Sequence, residues 1–289
     1  MIKQMERKTI AALTYQEEGD VWHRKIIGQY DSALLSSGLD FTIIEIRISA
    51  SMKESEISKL ISQNKPDLIF VPDDQIYKNH STMLIKFGVP VHVLAIQLSQ
   101  NQISDGITSL VADPKFDVLV EIMHEMRPEA KKFAIIGGYY SEDLINKIRS
   151  KIDKLVTTTT LMTDKWLELV DHYKWANQNA DTVFTLAPFG IYEENNKGWV
   201  HPRRVQSLID SLEKPSLSVG KVDALNRTIT LGFSAEKLGS QMAKLSLDSL
   251  LEGAPKQDIF DEFALAINPR HIEKFQLKIP VKKKEFITK

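Results

Sequence analysis

The stretch KTIAALTYQEEGDVWHRKIIGQYDSALLSSGLDFTIIEIRI, residues 8–48, decides how this chain is organised. Two apolar runs at its ends flank a segment in which apolar residues recur every three or four positions, the spacing of an amphipathic helix. Asp20 is a suitable N-cap for a helix over 21–37, and Gly38 can adopt the positive φ that ends it. A strand, a helix and a strand in this order are typical of a β-α-β unit with parallel strands.

The same alternation continues outward from this unit. Further strands are predicted at 67–72, 89–96, 132–138, 157–163, 182–187, 216–221 and 228–234, with amphipathic stretches between most of them. Residues 97–114 are rich in Ser, Asn, Gln, Asp and Gly, which predicts an irregular crossover between two series of units. We therefore predict an α/β fold of two Rossmann-like lobes with mainly parallel sheets, joined by a hinge.

The end of the chain adds one strand and one short helix to this pattern. A helix is predicted over 234–253, and the segment FALAINPRHIEKFQLKIP follows at 263–280. Because an isolated strand must dock on a sheet, we predict that this segment returns to the first lobe. The predicted lobes are residues 1–104 plus 254–289 and residues 105–253, with a ligand cleft at the carboxyl ends of the strands.

Composition and motifs exclude several classes of function. The chain is 43% hydrophobic and 26% charged, has a net charge of -1 and contains no cysteine. Without a basic excess, nucleic-acid binding is disfavoured, and without cysteine there are no disulfides, thiol nucleophiles or zinc-thiolate sites. His124-Glu125 lacks the second histidine of a zinc-protease motif, and no P-loop, G-x-G-x-x-G or G-x-S-x-G is present. We predict a protein that is not an enzyme and has neither a metal nor a cofactor.

Four blocks, at 13–38, 106–136, 232–259 and 265–280, resemble the bacterial ABC-transporter substrate-binding protein family that includes tryptophan- and tyrosine-type binders. The most specific are the Leu-Gly-x-x-x-Ala helix ending in Leu-Leu-x-Gly at 238–253 and the Ile-Asn to Ile-Pro ending. The resemblance implies a type I periplasmic-binding fold that closes on a small solute without chemistry.

The resemblance also implies a location and partners. A protein of this kind works at the periplasmic or extracellular face, with an ABC permease or a fused membrane signalling module as its partner. No signal peptide precedes the first strand, so this chain is either a form without its leader or cytosolic. The alternative is a cytosolic effector-binding or enzymatic domain of similar two-lobed fold.

Ligands of such folds bind where strands end, so the residues after each strand are the candidates for ligand binding. In the first lobe they are Tyr15, Gln16, Asp73, Asp74 and Gln97. In the crossover and second lobe they are Thr108, Ser109, Asp113, Tyr139, Tyr140, Phe189, Lys221 and Asp223. The three carboxylates at 73, 74 and 223 suit a ligand ammonium; the hydroxyls at 108 and 109 and the lysine suit a carboxylate; the tyrosines suit an aromatic wall.

Structural roles stand beside these predictions. Asp73 and Asp74 could instead cap the following helix or form turns, and Asp113, just before a proline, could begin the helix predicted at 115–126. Trp22 lies on the apolar stripe of the first helix, which favours packing over ligand contact.

Overall fold

The computed structural model describes residues 7–15, 21–49, 51–186, 191–194, 200–220 and 227–280. Its strands are β1 (Lys8–Tyr15), β2 (Phe41–Ile48), β3 (Leu68–Val71), β4 (Val91–Ala95), β5 (Thr108–Ala112), β6 (Lys132–Gly137), β7 (Thr157–Met162), β8 (Thr182–Thr185), β9 (Ser216–Gly220), β10 (Ile229–Gly232), β11 (Gln257–Phe260) and β12 (Ala264–Ile267). Its helices are α1 (Val21–Ser36), α2 (Glu54–Asn64), α3 (Asp74–Ile85), α4 (Phe116–Met126), α5 (Glu142–Ile152), α6 (Trp166–Asn179), α7 (Pro202–Asp210), α8 (Ala235–Glu252) and α9 (Pro269–Lys274).

The strands form two sheets of six, one in each of two compact units. The first sheet has the order β11-β5-β4-β3-β1-β2, and all of its pairs are parallel. The second has the order β12-β10-β9-β8-β6-β7, in which β12 alone is antiparallel to its neighbour. The predicted α/β fold of two lobes with mainly parallel sheets is confirmed.

The division of the chain between the units differs from the predicted one. The first unit comprises Met1–Asp113 and Ser234–Asp261, and the second comprises Pro114–Phe233 and Glu262–Lys289. The chain therefore passes between units three times. Helix α8 belongs to the first unit, whereas the segment at 263–280 belongs to the second.

Helix α8 belongs to the first unit because it packs closely against α1. A Cβ on Gly239 would lie 2.5 Å from the carbonyl oxygen of Ile26, so the absence of a side chain permits this approach. The hydroxyl of Ser246 accepts a hydrogen bond from the buried Tyr30 hydroxyl at 3.0 Å and contacts Nδ1 of His92 at 2.7 Å. Small and hydroxylated residues thus fix α8 against α1 and the first sheet.

The closing segment docks on the second sheet. Strand β12 pairs antiparallel with β10, from Ile229 opposite Ile267 to Gly232 opposite Ala264. Asn268 then caps α9 by accepting a hydrogen bond from the backbone of Arg270 at 3.0 Å. The prediction that this segment returns to the first lobe is wrong; the strand that does return is β11, which precedes it and pairs with β5.

Each sheet is covered by helices on both faces, and this explains the nearly continuous apolar strands. In the first unit, Ile69 and Val71 of β3 face α2 and α3, while Phe70 points the other way and stacks on Tyr30 of α1 with ring centroids 4.2 Å apart. In the second unit, one core lies between the sheet and α4 and α5, and the other between the sheet and α6 and α7. No helix among the described residues is long and apolar enough to cross a membrane.

The predicted irregular crossover at 97–114 is partly regular. Residues 108–112 form β5, which pairs with β4 on one side and β11 on the other. The hydroxyl residues at the start of β5 are buried among polar partners, so a polar composition here reflects hydrogen bonding inside the first unit.

Candidate functional site

The carboxyl ends of parallel strands meet at one edge of a sheet, where ligands of open α/β folds bind. In the first sheet, Tyr15 ends β1, Asp73 and Asp74 follow β3, Gln97 comes soon after β4, and Asp113 follows β5. We call these five residues the first edge. The topology places them at the same carboxyl-terminal edge of the first sheet, as the order of strands in the sequence predicts.

Asp73 caps α3. Its carboxylate accepts hydrogen bonds from the backbone N–H groups of Gln75 at 2.8 Å and Ile76 at 3.0 Å. This cap starts α3 at Asp74. Of the two roles that the sequence leaves open for Asp73, capping is visible in the structure, and ligand contact stays a prediction.

Asp74 is buried and its carboxylate faces the backbone of its own unit. Its Oδ1 accepts hydrogen bonds from the N–H groups of Ile96 at 3.0 Å, Gln97 at 3.1 Å and Leu98 at 3.0 Å, and its Oδ2 also lies 3.0 Å from the Ile96 nitrogen. Burial raises the pKa of Asp74 to about 6, although the bonds from these N–H groups work in the opposite direction. The carboxylate therefore fixes the backbone at 96–98, which we call the 96–98 segment.

Gln97 lies at the centre of the 96–98 segment. Its side-chain oxygen is buried and has no hydrogen-bond partner in the part of the chain that the structure describes. A buried acceptor without a donor costs about 1–3 kcal/mol. A donor from a ligand or from an ordered water would recover this free energy, which makes Gln97 the member of the first edge with the clearest unmet hydrogen-bonding capacity.

Tyr15 and Asp113 complete the first edge. The Tyr15 hydroxyl accepts a hydrogen bond from the side-chain amide of Asn79 at 3.4 Å, and its ring packs on the apolar core beneath α3. The backbone N–H of Asp113 donates to the carbonyl of Phe260 at 3.1 Å. Helix α4 begins at Phe116 with Lys115 in the cap position, so Asp113 is not its N-cap.

Thr108 and Ser109 are not brought to the first edge. They occupy the first two positions of β5, so they lie towards the opposite, amino-terminal end of this strand. The Thr108 hydroxyl donates to Ser249 of α8 at 2.7 Å, and the Ser109 hydroxyl accepts from the Gln100 amide at 3.0 Å. Both are buried and hydrogen-bonded, so their placement gives no support to the predicted contact with a ligand carboxylate.

The second sheet presents two tyrosines after β6. Tyr139 and Tyr140 form a single 3-10 turn with Ser141, directly before α5. The Tyr139 side chain is 57% exposed, whereas Tyr140 is half-buried. An exposed ring at the carboxyl end of a strand is accessible for stacking on a flat ligand, and the contact of either tyrosine with a ligand stays a prediction. The remaining candidates, Gln16, Phe189, Lys221 and Asp223, lie outside the described residues.

His23 is a polar residue of this region that the strand-end pattern does not predict. It lies in the first turn of α1, and its Nε2 is 3.6 Å from the carboxylate of Asp73. Burial lowers the pKa of His23 to about 4, so the ring is neutral at neutral pH. Its position in the first turn of the helix that follows β1 is the signal that could have identified it. Among the described residues, no group of three His, Asp or Glu side chains is arranged to hold a metal.

Comparison with known proteins identifies the fold. No family model matches the chain, and no curated protein matches it in sequence. The ABC domain in complex with L-Trp from Streptococcus pneumonia has a TM-score of 0.74 at 15% identity, with 98% of this chain and 100% of that chain covered. The ligand-free substrate-binding protein CD0873 from Clostridium difficile has a TM-score of 0.68 at 13% identity, covering 98% and 99%.

A transcriptional regulator has a similar structure. The probable maltose operon transcriptional repressor malR from Staphylococcus has a TM-score of 0.66 at 12% identity, with 90% of this chain and 97% of that chain covered. Substrate-binding proteins and regulators therefore both share this architecture. At these identities the likeness shows the fold alone, and the chain has the two-lobed, type I periplasmic-binding-like fold.

Proposed function

We propose that this chain is a solute-binding protein that binds a small molecule, an amino acid or a related metabolite, without converting it. In this proposal it works outside the cytoplasm and either delivers the solute to an ABC permease or reports it to a fused membrane module. The sequence blocks described above and the likeness to an ABC domain with bound L-Trp support this choice.

The observation that carries the proposal is the first edge. There a buried carboxylate holds the 96–98 segment, and the Gln97 side-chain oxygen has no hydrogen-bond partner among the described residues. Polar groups held rigidly at the carboxyl ends of parallel strands are what a small-molecule site of this fold requires.

Ligand-dependent stabilisation tests the proposal. We expect native mass spectrometry of the purified protein to show a stoichiometric small molecule, recovered unchanged after denaturation. A ligand-stripped sample should then melt roughly 5 °C or more higher with a hundredfold excess of its ligand over Kd, because binding to the folded state adds about 2.7 kcal/mol. A panel of L-tryptophan, L-tyrosine, the other amino acids and simple sugars in which nothing raises the melting temperature would contradict the proposal.

A matched pair of variants locates the site. Gln97→Ala should weaken binding of the panel's best ligand about tenfold, because one hydrogen bond to a buried amide is lost. Gln178→Ala removes an exposed glutamine from α6 and should leave affinity unchanged. Equal affinity of both variants would place the ligand away from the 96–98 segment.

A cytosolic effector-binding domain is the second candidate, supported by the likeness to the malR repressor. The two candidates predict different cellular locations for the same ligand-binding activity. Fractionation of the natural host, with detection of this protein in the exported or the cytosolic fraction, separates them. Recovery from the cytosol with its first residue at Met1 would favour the regulator-like function.

A further inference from the structure

The 96–98 segment is held by a single side chain from another part of the first unit. Three successive backbone N–H groups, of Ile96, Gln97 and Leu98, converge on the Asp74 carboxylate within 3.0–3.1 Å. Asp74 is itself fixed, because it is the first residue of α3 and follows the capping residue Asp73. A shift of this carboxylate would therefore move the backbone that carries Gln97.

The same geometry removes Asp74 from direct ligand contact. Its side chain is buried, and both oxygens already lie at hydrogen-bond distance from backbone donors. A ligand ammonium could reach it only by displacing the 96–98 segment. Asp74, which the sequence predicts as a partner for a ligand ammonium, instead accepts hydrogen bonds from backbone N–H groups of its own unit.

We propose that Asp74 is a positioning residue for ligand binding: its ionised carboxylate holds the 96–98 segment in the binding conformation, and its protonation releases the segment and weakens binding. This inference rests on the proposed function, because it assumes that Gln97 contacts the ligand. Bonds from N–H groups to an ionised carboxylate are stronger than bonds to a neutral carboxyl, so protonation weakens all of them together.

Burial and nearby charges set the pH at which Asp74 is protonated. Burial is the largest influence and raises its pKa to about 6; the neighbouring Asp73 charge acts in the same direction. Within the described ranges, the buried His23 of α1 also interacts with Asp74, and its pKa of about 4 keeps it neutral near pH 6. Protonation of Asp74 therefore takes place under mildly acidic conditions, before His23 gains its charge.

The first test needs no ligand. In a nitrogen-15 NMR titration from pH 7.5 to 4.5, we expect the amide proton shifts of Ile96, Gln97 and Leu98 to move together, with one midpoint near pH 6, because all three donate to one titrating carboxylate. In Asp74→Asn this common transition should be absent, whereas Asp73→Asn should retain it, since asparagine also caps helices well. His23→Gln should retain it as well.

Two results would overturn the inference at this stage. In the first, the amide proton shifts of Ile96, Gln97 and Leu98 do not change between pH 5 and 7 in the wild-type protein. In the second, these shifts show the same transition in Asp74→Asn as in the wild type. The wild-type titration decides by itself if the Asp74 variant does not fold.

The second test links the segment to binding, with L-tryptophan as the probe. If only the ionised form binds, about a tenth of the molecules are competent at pH 5, and the Kd should rise about tenfold between pH 7.5 and 5. Reciprocally, L-tryptophan at about ten times its Kd at pH 7.5 should lower the midpoint of the three amides by about one pH unit. Asp74→Asn should bind with an affinity that does not change over this range.

The two proposals fail in different ways. A Kd for L-tryptophan that is constant with pH, together with a normal amide titration, would show that the segment is held by Asp74 but does not govern binding, and so would overturn the inference. An absence of L-tryptophan binding at pH 7.5 would exclude L-tryptophan as the solute; the panel's best ligand then replaces it in the same pH series, and a panel without any ligand would contradict the proposed function while the amide titration still decides whether Asp74 holds the segment.

Discussion

Replacing Gly239 with alanine is expected to lower the free energy of unfolding by about 2–3 kcal/mol, because the new methyl group has no room between two helices. An ideal Cβ at this position lies 2.5 Å from the Ile26 carbonyl oxygen, 3.0 Å from the Gln29 Cβ and 3.1 Å from the Tyr30 nitrogen. Two of these atoms belong to the α1 backbone, so relief requires α1 and α8 to separate. Urea denaturation followed by circular dichroism measures the loss.

Gly28 provides the matched control, since it is also a helical glycine of the first unit. It lies in α1, is exposed, and has nothing within 4 Å of an added Cβ. Gly28→Ala should therefore raise stability by about 0.5–1 kcal/mol through helix propensity. If Gly239→Ala also stabilised the protein, the close approach of α1 and α8 would not be a feature of the folded molecule.

The fold was predictable because its signals are local. The apolar periodicity of 8–48 predicts β1, α1 and β2, and the observed bounds of these elements agree within a residue or so. The Leu-Gly-x-x-x-Ala helix stands out in the sequence, and the structure gives a physical reason for its glycine, which is the contact of Gly239 with α1.

The assignment of elements to units was not predictable in the same way. Periodicity shows that α8 and β12 each have an apolar face, but it does not show which sheet covers that face. The choice is made by particular contacts, such as Ser246 with Tyr30 for α8 and Ala264 opposite Gly232 for β12. These pairs are distant in sequence, so a single sequence contains no local signal for them.

The sequence predicts which residues lie at the edge of the first sheet, but it does not predict the interactions that each of them makes. Strand ends placed Tyr15, Asp73, Asp74 and Gln97 together because parallel strands share a carboxyl edge. The sequence could not distinguish a carboxylate that faces solvent from one that faces backbone N–H groups, as Asp74 does. Thr108 is predicted to lie in an irregular crossover but begins β5, because a strand that starts with polar residues resembles a loop in the sequence.

The second large effect concerns pH: from pH 7 to pH 4, the free energy of unfolding of His92→Asn should rise by about 3 kcal/mol relative to that of the wild-type protein. His92 is fully buried in β4, and burial lowers its pKa from 6.5 to about 3. Between these pH values the unfolded chain binds a proton that the folded chain does not, so stability falls as the pH falls. Asparagine does not titrate and can still hydrogen-bond to Ser246.

Because Asp74 also titrates in this range, the effect of His92 must be measured as the difference in unfolding free energy between the wild type and the variant. Because the pKa of Asp74 is raised, its contribution has the opposite sign: it favours the folded state increasingly as the pH falls from about 6 towards 3.8. This contribution is present in the wild type and in His92→Asn, and it cancels when their unfolding free energies are subtracted at each pH. The variant should be less stable at pH 7, through lost packing, and should approach or exceed the wild type at pH 4.

Tyr30→Phe is the control for the hydrogen-bonded group of Tyr30, Ser246 and His92. It removes the hydroxyl that donates to Ser246 at 3.0 Å and leaves the histidine in place. Burial raises the pKa of Tyr30 well above its ordinary range, so this residue does not titrate between pH 4 and 7. The variant should lose about 1 kcal/mol equally at both pH values. If the gap between wild type and His92→Asn were also the same at pH 7 and pH 4, then His92 would not remain neutral in the folded protein, and its burial against Ser246 could not be the source of the acid sensitivity.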